Sequence, residues 1–129
     1  MKTGIILLGH GSRREEANDE IRQLAGMIQE GDKNGCYKVA FLSFASPGLT
    51  DAAEELIEEG VNNIIVMPIF LVTGNHIKRD IPSKLLLLKT SYPEVNFIMA
   101  KHFGTHPALI EIVQERIQTA AALAEGMSL

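Results

Sequence analysis

Four apolar runs separated by stretches of helical spacing restrict this chain to very few architectures. They are "GIILL" (4–8), "YKVAFLSF" (37–44), "NIIVMPIFLV" (63–72) and "NFIMAKHF" (96–103). Each predicts a strand. The first and third are almost unbroken in Ile, Leu and Val, as expected where a parallel strand is covered on both faces. Between them, Ser12 with Glu15 three residues on reads as a capping box, followed by Ile21, Leu24, Ala25 and Ile28 at helical spacing. A second helix is predicted from Pro47, with Leu49, Ala52, Ala53, Leu56 and Ile57 on one face and a stop at Gly60. In the third, Ile77 to Ser91, Pro82 predicts a first turn near Asp80 instead of an unbroken helix from His76. The last, Pro107 to Ala124, carries Leu109, Ile110, Ile112, Val113 and Ile117 in a broad stripe. The order βαβαβαβα predicts an α/β fold: a three-layer sandwich around a four-stranded parallel sheet, strand order 2-1-3-4. With 129 residues, a single domain over 1–129 is expected.

Composition removes several classes of function. The formal net charge of −4 argues against general nucleic-acid binding, which needs an excess of Lys and Arg. No stretch approaches the length of a membrane span, and the first apolar run is too short for a signal-peptide core. Cys36 is the only cysteine, so an internal disulfide and a thiolate cluster are both excluded, in keeping with a cytoplasmic setting. Met27, Met67 and Met99 read as core filling.

In an open parallel sheet, ligands gather beyond the carboxyl ends of the strands where the strand order reverses. For the order 2-1-3-4 that place lies between strands one and three. His10 follows strand one in "LLGHGSRR" and His76 follows strand three in "LVTGNHIKR", so two histidines are expected to face one crevice. The two segments share an apolar strand, a glycine-histidine turn and a basic pair, a faint internal echo too short to claim as a repeat. A neutral imidazole binds a divalent ion through one nitrogen and accepts a proton near neutral pH. His10 and His76 are therefore candidate metal ligands and catalytic residues. Gly9, Gly11 and Ser12 of the turn, and the cations Arg13, Arg14, Lys78 and Arg79, are candidate substrate contacts, the cations for carboxylates around a ligand's edge. His106 precedes Pro107 and reads as a helix cap, and His102 as a neighbouring residue able to extend a metal site.

A glycine-rich turn at a helix start also binds phosphate through backbone N–H groups. The "GHGS" turn resembles the Arg-His-Gly turn of histidine phosphatases, except that Gly9 stands where the arginine would be. A phosphoryl-handling enzyme thus stays open as a rival reading.

Taken together, "LLGHGSR", "AFLSFASP" and "VMPIFLVTGNHIKRDIP" resemble the small sirohydrochlorin chelatases, the CbiX and SirB type of class II chelatase. The resemblance covers nearly the whole chain. It implies a lyase that inserts a divalent metal, cobalt first and nickel or iron as alternatives, into sirohydrochlorin, for cobalamin, siroheme or related cofactor biosynthesis. His10 and His76 would be the metal ligands and proton acceptors, the metal a substrate, and no cofactor permanently bound. The short form is expected to pair as a homodimer, supplying the wall that one small domain lacks for a large flat macrocycle. Neither nucleic acid nor membrane is an expected partner.

One segment departs from the family. Relatives carry acidic residues in a pattern like Leu-Glu-x-x-Glu-Pro where this chain has Leu42, Ser43, Phe44, Ala45, Ser46 and Pro47. Serine does not replace a carboxylate as metal ligand or base at neutral pH. The expectation is that the two histidines suffice; altered metal preference or weakened activity is the alternative. A non-catalytic carrier of metal or tetrapyrrole is the rival function that these serines keep open.

Overall fold

The computed structural model describes residues 2–71 and 74–126, with backbone alone at 75 and 76. Strands β1 (Thr3–Gly9), β2 (Cys36–Phe41), β3 (Asn63–Pro68) and β4 (Asn96–Met99) alternate with helices α1 (Glu15–Glu30), α2 (Leu49–Glu58), α3 (Asn75–Ser91) and α4 (Pro107–Glu125). The sheet is parallel throughout, in the predicted order β2-β1-β3-β4. β1, the central strand, aligns Leu7 with Val39 on one side and Met67 on the other.

One face of the sheet is closed. Ile6 and Leu8 of β1, Ala40 of β2, and Ile64 and Val66 of β3 pack under Leu49, Ala52, Ala53 and Leu56 of α2 and Ile81, Leu85 and Leu88 of α3. These alternate residues all point one way, as the period of a strand requires. The opposite face carries α1, where Leu7, Ala25 and Ile69 are buried among half-buried Ile5, Ile21, Ile28, Val39 and Met67.

Three local expectations change. α1 starts at Glu15, because the Ser12 hydroxyl accepts from the Arg14 N–H instead of capping a helix. Arg14 is the N-cap and offers no side-chain cap. α3 runs unbroken from Asn75 with Pro82 inside it. Pro82 has no N–H to give the Lys78 carbonyl, but Lys78 is exposed, so that carbonyl has access to water while buried Ile81, Leu85 and Leu88 hold the helix to the sheet. The strands are also shorter than the apolar runs: β2 ends at Phe41, β3 at Pro68 and β4 at Met99.

The largest departure is α4. It contains no buried residue, and Ile110, Ile112, Val113 and Ile117 are 47–61% exposed. The stripe exists, but it faces water and not the sheet. Edge strand β4 is open too, with Ile98 52% and Met99 39% exposed; Met27 at 66% is likewise outside the core. Among the described residues, no helix is long and apolar enough to cross a membrane.

Candidate active site

The Gly-His-Gly-Ser turn continues directly from β1 and is pinned from both sides. Toward β2, Leu42 N–H donates to the Gly9 carbonyl at 3.0 Å and Ser43 N–H to the His10 carbonyl at 3.1 Å. Toward β3, Ile69 N–H donates to the Leu8 carbonyl at 2.7 Å. The backbone of His10 is thereby held almost as firmly as a strand residue, although it lies beyond the sheet.

The two glycines serve this arrangement differently. Gly9 is buried, and a Cβ there would meet Ile21 Cγ2 at 3.2 Å and the Phe41 ring at 3.3 Å. Gly11 has φ +88°, and a Cβ there would fall onto the Ser43 carbonyl oxygen. Only glycine lets the two turns approach so closely with that backbone.

Asn18, 1% exposed, is the buried polar side chain of the core. Its Oδ1 accepts from Ser12 N–H at 2.9 Å, while its Nδ2 donates to the Ser12 carbonyl at 2.8 Å and to a Glu15 carboxylate oxygen at 3.1 Å. One amide thus satisfies both backbone groups of Ser12 and closes the turn from below. Glu15 also pairs with Arg22, and these contacts, the Asn18 amide first, hold its carboxyl below the ordinary range. Sequence reasoning missed Asn18, yet a signal was present: it falls in register with Ile21, Ala25 and Ile28 on the inward stripe of α1, where a polar residue needs buried partners.

The His10 side chain is exposed at the carboxyl end of β1, its ring 4.7 Å from that of Phe70 at 52°. Arg13 is exposed and lays its guanidinium 4.8 Å from the centre of the Phe44 ring. Arg14 is exposed, as are Lys78 and Arg79 in the opening turns of α3. His76 is the second residue of α3, the helix that follows β3, but its side chain lies outside the described residues. β1 and β3 are hydrogen-bonded neighbours, so the turns bearing the two histidines leave the sheet side by side. His106 caps α4, its Nδ1 accepting from Ala108 N–H at 3.0 Å; His102 is half-buried. Ser43 and Ser46 are exposed. Among the described residues, no group of three or more His, Cys, Asp and Glu side chains converges as a metal cage.

An apolar groove of about 780 Å³ lies elsewhere, lined by Pro82, Leu85, Leu86, Phe97, Ile98 and Met99 between α3 and edge strand β4. It opens toward Asn63 and Asn96 at the amino ends of β3 and β4.

The CbiX family model matches residues 4–120. The chain belongs to the CbiX family. Within the family it is similar to the sirohydrochlorin cobaltochelatase of Sulfurisphaera tokodaii, 33% identical over 89% of this chain and 91% of that protein. It is also similar to the chloroplastic sirohydrochlorin ferrochelatase of Arabidopsis thaliana, 30% identical over 95% of this chain but 55% of that protein. A structure of SirB from Bacillus subtilis with Fe3+ superposes with a TM-score of 0.86 at 27% identity, covering 93% of this chain and 48% of SirB. The CbiX chain thus spans about half the length of its longer relatives and nearly all of the shorter one.

Proposed function

We propose that this CbiX-family chain inserts a divalent metal into sirohydrochlorin, with cobalt as the ion it serves best. The observation that carries the reading is His10, exposed on a turn clamped by both neighbouring strands where the strand order reverses. Cobalt is favoured because the relative it matches along nearly its full length is named a cobaltochelatase, while the ferrochelatase is about twice as long.

In this reading His10 and His76 share the chemistry. Each imidazole presents a lone pair to the incoming ion in place of water, and each takes up one of the two protons that leave the pyrrole nitrogens as the ion enters the ring. Gly9, Gly11 and Ser12 set the turn, and Arg13, Arg14, Lys78 and Arg79 receive the carboxylates of the macrocycle. The product carries the metal away, so the protein keeps no cofactor.

We also propose that two copies pair. Helix α4, with its apolar stripe in water, calls for cover, and a second copy gives a flat macrocycle its other wall. The cytoplasm is the setting we assign, where the thiol of Cys36 stays reduced.

The deciding experiment is an insertion assay with sirohydrochlorin against cobalt, nickel and ferrous ions, followed by absorbance. Cobalt is expected to be fastest, and His10→Ala or His76→Ala to slow insertion by about a hundredfold or more. Full rates in both variants would overturn the assigned roles. A carrier without catalysis is the second reading, kept open by Ser43 and Ser46 where the family pattern has acidic residues. Stoichiometric binding with insertion no faster than in free solution would establish it.

A further inference from the structure

Phe44 is held in a way that folding alone does not explain. Its φ is +64°, a region where a bulky side chain crowds its own backbone and where glycine or asparagine is the ordinary choice. It is also 64% exposed, so the ring gains little from the core. The turn imposes this conformation: Ser43 N–H is tied to the His10 carbonyl on one side, and Phe41 N–H to the Pro47 carbonyl at 2.9 Å on the other. A strained backbone carrying an apolar ring into water marks a position where the ring itself is used.

Its neighbours identify the use. Along the strand order β2-β1-β3, the first ring beyond each strand is Phe44, His10 and Phe70; Phe44 and His10 are exposed, and half-buried Phe70 lies 4.7 Å from the His10 ring. Arg13 stacks on Phe44, and residues 9–14 and 42–47 contain no acidic side chain. A surface that combines exposed π-faces with guanidinium edges is complementary to a flat, conjugated ligand with anionic substituents.

We infer that Phe44, backed by Arg13, is a stacking platform for one face of the tetrapyrrole macrocycle, holding it over His10. Phe44 is a positioning residue that takes no part in proton or metal transfer. The inference rests on the proposed function for the identity of the macrocycle.

The test is a fluorescence titration of metal-free sirohydrochlorin into the whole chain as wild type, Phe44→Gly and Phe44→Tyr. Phe44→Gly is expected to raise Kd about tenfold, without lowering the melting temperature, because glycine suits the positive φ. Phe44→Tyr is expected to bind like wild type. In the insertion assay the loss in Phe44→Gly should fall on KM, not on kcat. Wild-type affinity in Phe44→Gly overturns the platform while leaving the chelatase reading intact. Tight binding by wild type with no metal insertion overturns the chelatase reading, and the Gly and Tyr variants still decide the platform.

Discussion

Replacing Gly11 by alanine tests the central claim that the β1 and β2 turns are locked together to present His10. An L-residue in the left-handed region costs about 1–2 kcal/mol. The new methyl would land on the Ser43 carbonyl oxygen, with the carbonyl carbon 2.8 Å and the nitrogen 3.2 Å away, all backbone atoms that no rotamer change relieves. Relief requires the turns to part, which gives up the Ser43 to His10 hydrogen bond, about 1 kcal/mol more. The sum is about 2–3 kcal/mol. With an unfolding entropy of about 2.1 cal/mol/K per residue, that lowers the melting temperature by about 10 °C. His10 moves with its turn, and a displacement of about 1 Å costs about a hundredfold in rate. Gly9→Ala is the control: its Cβ meets only side chains, Ile21 and Phe41, which have room to adjust, so about 1 kcal/mol is expected. Differential scanning calorimetry and the insertion assay read both variants. A Gly11→Ala protein that melts and works like wild type would refute the locked-turn argument.

Asn18→Ala leaves both backbone groups of Ser12 without their partner, and should cost about 2 kcal/mol, or about 7 °C. Asn18→Asp should be worse, since it brings a second carboxylate beside Glu15; urea midpoints measure both, and an Asp variant as stable as wild type would contradict the geometry. Glu15 has a folded-state pKa held below its ordinary value of 4.5, so its stabilisation is present above that value and lost as the pH falls through the lower, folded one. Glu15→Gln should therefore lose less stability than wild type as the pH falls below 4.5; parallel pH curves would dismiss the contact. Val113→Asp with Ile117→Asp should convert a dimer to the 14.1 kDa monomer by light scattering, and a wild type already monomeric would end the pairing proposal.

What the sequence makes legible here is the part that depends on local pattern. The apolar runs yield all four strands, and the helical stretches between them yield the parallel order, because each crossover leaves few topologies. Position relative to the sheet follows from that order, which is why His10 is found exposed just beyond the carboxyl end of β1, where it stands as a candidate site residue. The misjudged features depend on contacts that the hydrophobic pattern does not show. Ser12 reads as a cap until Asn18, buried beneath it, takes its N–H and carbonyl. Pro82 reads as a helix start until Ile81 and Leu85 are seen anchoring the helix around it. The positive φ of Phe44 has no local signature at all, since it is set by bonds to residues on either side of its turn. The stripe on α4 is read correctly as apolar, but amphipathic spacing says that a face seeks cover, not what provides it.

That uncovered stripe ties folding to concentration. If a second copy closes over Ile110, Val113 and Ile117, each partner acts as a ligand for the other's native state, and the unfolded chain has nothing equivalent to bind. The melting temperature then rises with protein concentration, and dilution alone becomes a denaturant. A cell that made little of this protein would lose it twice over, as fewer assembled sites and as a less stable fold.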